Sequence, residues 1–283
     1  MLILRPDTVT AITIEVTRLP ELQPVTQSDV SKIAEAARRC EILGRVASLA
    51  QQVLEEQGFV QVRGLSPETS ARIFPAFATL LGNIYIDPDV GAAIIPAHVR
   101  PGELLMGNHL RRLPLHTDYS MMEEPPRLTM SCCLHPDALE EFGRLSIANI
   151  ESACFGLYDD PEMIRLRTVP LPFAAQNARE LANVIDRPIL SQKANGRLLV
   201  RYHRSRIEQG FRVRKVRPSL EQLAAMKCFE RLASECVQWL RVAAGDITVI
   251  DNHRTVHGRE RCSVEVNADG TTTGRQMLFL FAY

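Results

Sequence analysis

The stretch GDITVIDNHRTVHGRERC, residues 245–262, sets the reading of this chain. Gly245-Asp246 marks a turn, and Ile247, Thr248, Val249 and Ile250 form a short β-branched run. Asp251-Asn252 is a polar stop, and His257 then follows with Gly258 behind it. The order of helices and strands along the chain suggests a largely antiparallel sheet or barrel rather than a βαβ repeat. Neither Gly-x-Gly-x-x-Gly nor a Walker loop occurs, so no nucleotide-binding turn is encoded. His257, by itself, reads as a strand-end histidine hydrogen-bonded to a neighbour.

LPLHTDYS, residues 113–120, gives that histidine a context. In an extended segment residues i and i+2 point the same way, so His116 and Asp118 present an imidazole and a carboxylate to one side. A solvated turn explains the triplet equally well when it is taken alone. With His257 as third ligand, two histidines and one carboxylate would occupy one face of a metal ion. That set leaves adjacent positions open for a co-substrate and dioxygen, as an iron(II) oxygenase requires. Arg275 opens the last apolar strand in phase with Met277, Phe279, Phe281 and Tyr283. A guanidinium on such a face needs an anion: a protein carboxylate, or a ligand carboxylate gripped by its planar fork.

Other elements follow from pattern. A helix is expected over 28–57, stopped by Gly58. A second starts at Ser66-Pro67, an N-cap followed by proline, and closes at Gly82. A third opens at Ser219 with Gln222 three residues on, a capping box, and runs on through Val237 and Leu240. Strands are expected in GFVQVRGL (58–65), RLTMSCCL (127–134), GRLLVRYHR (196–204, after an Asn-Gly hairpin signal) and the C-terminal GRQMLFLFAY (274–283). Helices at the front and strands in the middle and at the end indicate one α+β domain over 1–283. Its N-terminal elements would occupy about 1–82 and its core about 83–283.

Composition narrows the class. Among 283 residues, 33 Lys plus Arg balance 33 Asp plus Glu, which argues against nucleic acid or an anionic membrane as partner. No apolar run is long enough to span a bilayer, and the N-terminus lacks the pattern of a signal peptide. Seven cysteines without a Cys-x-x-Cys pair read as reduced, mostly core residues, so a cytoplasmic location is expected. A small molecule is the expected partner; oligomeric state is not encoded.

HTDYSMMEEPPRLTMSCCLHP, the later GDITVIDNHRTVHGR and a downstream arginine together resemble the TauD/TfdA-type (clavaminate synthase-like) Fe(II)/2-oxoglutarate-dependent oxygenases. EEQGFVQVRGL resembles the strand that opens that family's core, so the similarity runs from about residue 58 to the C-terminus. The resemblance implies a double-stranded β-helix (jelly-roll) barrel with buttressing helices. It implies His116, Asp118 and His257 as the iron ligands and catalytic centre, and Arg275 as the anchor for 2-oxoglutarate, with dioxygen as second co-substrate. The implied reaction is hydroxylation of an unactivated C–H bond of a small polar or amino-acid-like molecule. Desaturation or cyclisation by the same oxidant, and a non-catalytic sensor that kept the site, are alternatives. A zinc hydrolase with the same ligands would not need Arg275. Halogenating members replace the carboxylate ligand with a small residue, so Asp118 points to oxygen transfer. Two departures stand out. SVEVNADGTTTG (263–274) is inserted before Arg275 as a polar loop, making Arg259 and Arg261 rivals for the carboxylate. Where many members use a threonine on 2-oxoglutarate, this chain has Leu145 followed by Ser146, the candidate for that contact. Tyr119, Arg201 and Arg254 are candidate substrate contacts, as are the wider NHLRR (108–112) and RYHRSR (201–206) segments.

Overall fold

A computed structural model describes residues 1–17, 19, 25–88, 90–104, 107–157, 159–175, 183–193 and 195–283. In chain order the first part contains β1 (Leu2–Ile3), α1 (Pro6–Val16), α2 (Gln27–Arg38), α3 (Glu41–Gln57), β2 (Phe59–Arg63) and α4 (Pro67–Leu81). The middle contains β3 (Ile84–Tyr85), β4 (Ile95–His98), β5 (Leu113–His116), β6 (Leu128–His135), β7 (Leu145–Asn149), α5 (Ile150–Ala153) and α6 (Pro161–Thr168). Then follow β8 (Leu171–Ala174), β9 (Val184–Arg187), β10 (Leu190–Gln192), β11 (Leu198–Val200), α7 (Arg204–Arg214) and α8 (Leu220–Glu235). The chain ends with β12 (Val237–Leu240), β13 (Ile247–Asp251), β14 (Thr255–Arg259), β15 (Val264–Val266), β16 (Thr272–Gly274) and β17 (Gln276–Ala282).

Two sheets carry the architecture. The larger has the order β1-β2-β13-β6-β17-β3, with β4 also on β17; the smaller is β12-β7-β14-β5. Strand alternation gives each sheet two apolar faces. Phe59, Cys133 and Ile250 of the larger sheet share one cluster with Leu145 and Ile147 of the smaller, so the inner faces meet. On the larger sheet's outer face, Val60, Met130, Val249 and Leu280 pack under α1–α4 with Leu43, Leu54, Phe74 and Phe77. On the smaller sheet's outer face, Ala148 and Val256 meet Phe229, Ile207 and Leu166 from the later helices. Each fully buried side chain of this kind contributes about 1.5–3 kcal/mol.

Local signals hold at the caps. Ser66 accepts from the Thr69 N–H at 3.2 Å, Ser219 and Gln222 form the capping box, and Gly58 ends α3 at φ +80°. Four expectations change. The helix over 28–57 is two helices, because Cys40 leaves helical geometry (φ −90°, ψ 89°) and the turn lets both pack on one core. The third helix stops at Glu235, and Val237–Leu240 pairs with β7, since a short apolar run suits strand or helix and a free sheet edge decided it. The segment 263–274 is a β15–β16 hairpin, with Asn267 bonded to Thr271 and Thr273 across the turn. The division near residue 82 does not separate the core, because β2 pairs with β13 inside the larger sheet. No cysteine is in a disulfide, and six of the seven are buried.

Candidate metal centre

The register between β14 and β5 places His257 directly opposite His116. Residues so paired share a face, and the two imidazoles lie 4.6 Å apart between centroids. Beyond His116 the chain leaves the sheet and turns Asp118 back toward both rings. Its Oδ2 is 3.1 Å from His257 Nε2 and its Oδ1 is 3.6 Å from His116 Nε2. One donor atom from each of the three residues falls within 4.8 Å of the other two.

Neighbouring groups hold these side chains. The Asn252 amide clasps the Asp118 backbone, accepting from its N–H at 2.8 Å and donating to its carbonyl at 3.1 Å. The same amide donates to the Pro126 carbonyl at 3.0 Å. Thr129 Oγ1 donates to Asp118 Oδ2 at 2.8 Å. Thr117 faces the other way and ties the triplet to Tyr202 through its N–H (2.6 Å) and Oγ1 (3.1 Å). The Nδ1 of His116 lies 2.9 Å from the Pro114 carbonyl, which can only accept. That bond fixes the proton on Nδ1 and leaves the Nε2 lone pair facing Asp118, the tautomer a metal ligand needs. His257 Nδ1 is buried with no hydrogen-bond partner among the described residues.

The electrostatics suit a cation. Desolvation opposes ionisation of Asp118, but His257 and His116 outweigh it and hold the carboxyl well below the usual range. Burial lowers the pKa of His257 against the pull of Asp118, favouring the neutral imidazole that coordinates. Ligands about 2.1 Å from a metal sit about 3 Å apart on adjacent octahedral corners, close to the carboxylate–imidazole distances here. Two imidazoles and one carboxylate, with room beside them, fit Fe(II).

Arg275 precedes β17 and is only 5 % exposed, beside Cys133 and Arg259 of the interior. Its guanidinium makes no hydrogen bond or ion pair with any described residue. Gly143 leaves it room: a Cβ there would lie 3.3 Å from Arg275 Cδ and 2.8 Å from Asp137 Cβ. The rivals are committed elsewhere. Arg259 donates to the carbonyls of Gly107 (2.8 Å), His109 (2.6 Å) and Arg111 (2.8 Å), while Arg261 lies over the Phe142 ring.

Several expected contacts fall elsewhere. Ser146 pairs with Gly258, not His257, and so points to the outer face with Ala148; a Cβ on Gly258 would lie 2.9 Å from its Oγ. Its neighbour Leu145 faces inward but has no polar atom to offer a ligand. Arg201 is buried and spends its fork on the Ser120, Met122 and Glu123 carbonyls, burial pushing its pKa down to about 10. Arg254 is held by Asp251 (3.2 Å), Glu151 (2.7 Å) and the last carbonyls of α3. Tyr119 stays beside the centre, but its hydroxyl donates to Asp87 at 2.6 Å and its ring packs edge-on against Tyr85 and Phe281.

Three residues near the centre carried no individual signal in the sequence: Asn252, Thr129 and His203. The imidazole of His203 lies 4.9 Å from that of His116, and burial, aided by His116, pushes its pKa down to about 2. His203 and His116 help to line a cavity of about 220 Å³, with His109, Leu113, Leu115 and Ser205.

Two histidines and one carboxylate gathered between two sheets are the ligand set of the non-haem iron oxygenase class. The chain belongs to the family described as taurine catabolism dioxygenase TauD, TfdA family, which matches residues 41–278. It is therefore an Fe(II)/2-oxoglutarate-dependent oxygenase. No curated protein sequence matches it significantly. Among solved structures, an asparagine oxygenase with Fe(II), 2S,3S-3-hydroxyasparagine and succinate superposes with TM-score 0.78 at 17% identity, covering 99% of this chain and 93% of that one. The non-haem iron oxygenase OrfP with Fe and alpha-ketoglutaric acid gives TM-score 0.75 at 13% identity, over 99% and 92%. OrfP with Fe, succinate and (3S)-hydroxy-L-Arg gives 0.74 at 13%, over 100% and 93%. No helix among the described residues is long and apolar enough to cross a membrane.

Proposed function

We propose that this oxygenase hydroxylates an unactivated C–H bond of a small, amino-acid-like molecule, with its two sheets forming a double-stranded β-helix core. His116, Asp118 and His257 hold Fe(II), and Arg275 binds the distal carboxylate of 2-oxoglutarate. The observation that carries the assignment is the convergence of those three side chains from β5, the turn after it and β14. The buried Arg275, without a partner among the described residues, supports a dianionic co-substrate. The solved asparagine oxygenase with hydroxyasparagine and OrfP with (3S)-hydroxy-L-Arg support an amino-acid-like substrate.

When bound, Fe(II) with 2-oxoglutarate and dioxygen supplies the two-electron oxidation that places oxygen on carbon and releases succinate and carbon dioxide. The protein's part is orientation and exclusion. His116 keeps its proton on Nδ1 through Pro114, so Nε2 stays available. Thr129 and Asn252 fix the Asp118 carboxylate from the side chain and the backbone. Ile147, Leu145 and Met277 make the interior around the centre dry. Tyr119, locked by Asp87, contributes a rigid wall and not a mobile acid.

Anaerobic titration of the metal-free protein with Fe(II) and 2-oxoglutarate tests the assignment. A visible charge-transfer band is expected in the wild type and absent in His116→Ala and Asp118→Ala. A wild type without the band would sink it. Succinate release across a panel of amino acids, followed by product mass, then identifies the substrate.

A further inference from the structure

Backbone strain marks a residue next to the metal centre. Among the described residues, the non-glycine residues with positive φ are Lys215 at +56° and Tyr119 at +52°. Lys215 caps the end of α7, where helices commonly finish in the left-handed region. Tyr119 has no such setting, and an aromatic side chain there crowds its Cβ against the following carbonyl with no local hydrogen bond in return. A conformation of this kind persists only where surrounding contacts impose it. The Tyr119 hydroxyl donates to Asp87 Oδ2 at 2.6 Å. Its ring stands edge-on to Phe281 at 4.8 Å and to Tyr85 at 5.1 Å between centroids. Tyr85 and Phe281 are themselves paired across β3 and β17. On its other side Phe281 pairs with Thr129, whose hydroxyl donates to Asp118. The chain beyond is fixed as well: the Met122 N–H donates to the Tyr119 carbonyl at 2.9 Å, and Arg201 gathers the Ser120, Met122 and Glu123 carbonyls.

Resting on the proposed metal site, we propose that Tyr119 is a positioning residue for iron. Its clamped side chain holds its own backbone left-handed, and that turn brings the Asp118 carboxylate back onto His116 and His257. Tyr119 follows Asp118 directly, so its φ sets how the peptide unit leaving Asp118 is rotated. Asn252 grips the two backbone groups of Asp118 once the turn is made; Tyr119 makes the turn. Without the clamp the backbone relaxes to negative φ, the peptide swings, and the carboxylate leaves the two imidazoles. The consequence is a ranking that space-filling does not share. Tolerance of positive φ at position 119, and not apolar bulk, decides how tightly the metal is held.

The test is anaerobic Fe(II) calorimetry on the full chain, comparing wild type with Tyr119→Gly, Tyr119→Asn and Tyr119→Val at a temperature where all are folded. Glycine and asparagine tolerate the left-handed region, whereas β-branched valine does not. Tyr119→Val should bind Fe(II) roughly 10–100-fold more weakly than wild type, as when a group that orients a metal ligand is lost. Tyr119→Gly should recover roughly tenfold of that loss, the span of the steric penalty it removes, with Tyr119→Asn between the two. The charge-transfer band formed on adding 2-oxoglutarate should shift in Tyr119→Val and move back in Tyr119→Gly. If Tyr119 only filled space the order would reverse, because valine keeps the most apolar contact with Tyr85 and Phe281. That reversed order, equal affinities in the three variants, or wild-type affinity in Tyr119→Val would overturn the inference. Should these variants not fold, Tyr119→Phe carries the test, since it keeps both ring contacts. Loss of the Asp87 bond should then weaken Fe(II) binding by roughly twofold to tenfold, and an unchanged affinity would overturn the clamp. The wild-type titration, run first, separates the two levels. No Fe(II) binding removes the metal assignment and this inference together; normal binding with the wrong order removes only the role of Tyr119.

Discussion

Replacing Asn252 by alanine removes the clasp that orients Asp118. Asn252 is 1 % exposed, and its amide serves three backbone groups: the Asp118 N–H, the Asp118 carbonyl and the Pro126 carbonyl. Each such bond contributes about 0.5–1.5 kcal/mol net, so the variant should lose about 3 kcal/mol of unfolding free energy. The same change frees the Asp118 backbone to rotate, which takes its carboxylate away from the two imidazoles. Disturbing the groups that orient a metal ligand costs roughly 10–100-fold in metal affinity. Urea unfolding should show a lower midpoint with an unchanged slope. Anaerobic Fe(II) titration at a temperature where both proteins are folded should show the affinity loss. If folded Asn252→Ala binds Fe(II) as wild type does, Asp118 does not depend on the clasp and the reasoning fails.

Arg275→Met should weaken 2-oxoglutarate binding by roughly tenfold or more while stabilising the ligand-free protein by about 1–3 kcal/mol, because an unpaired buried cation is removed; calorimetry and denaturation measure the two, and unchanged 2-oxoglutarate affinity would discard the anchor. Ser146→Ala should leave 2-oxoglutarate affinity within about twofold of wild type, because the strand pairing turns Ser146 to the outer face; a larger loss would mean that the register differs. Glu55 joins Arg127 at 2.6 Å and Arg197 at 3.0 Å, and although desolvation raises its pKa, these arginines hold it below the ordinary value. A depressed folded pKa adds stability above the unfolded value near about 4.3 and loses it as pH falls below that. Glu55→Gln should therefore be less stable at pH 7, by about 1 kcal/mol after allowing for solvent screening. The gap to wild type should close below about pH 4 in acid-dependent urea unfolding; a gap constant with pH would exclude the ionic origin.

Much of the site was legible because its signals are local. His116 and Asp118 are two residues apart on an extended segment, and the Asp251-Asn252 stop between two apolar runs announces the turn before His257. The arginines were harder. Arg201, Arg254, Arg259, Arg206 and Arg275 look alike in one dimension, each being a cation beside apolar residues. What distinguishes them is whether carbonyls or carboxylates distant in the chain reach the guanidinium. Arg201 is met by carbonyls some eighty residues earlier, and Arg254 by the end of α3 about two hundred residues earlier. Arg206 and Arg275 are met by none of the described residues. The face that Ser146 occupies was not legible for a related reason: a one-residue choice of register decides which face a strand residue occupies. The hairpin at 263–274 and the strand at Val237–Leu240 were missed because short runs take their state from an available partner.

By itself, the sequence determined the helix caps, the strand periodicity, the candidate ligands and, through the family resemblance, the chemistry they serve. These depend on neighbours within about four residues, where backbone geometry fixes direction. Only the tertiary structure decided that His257 lies opposite His116, that Asn252 and Thr129 hold Asp118, and which guanidinium groups meet no partner among the described residues. Those facts depend on cross-strand register and on contacts between remote segments, and no local spacing encodes either.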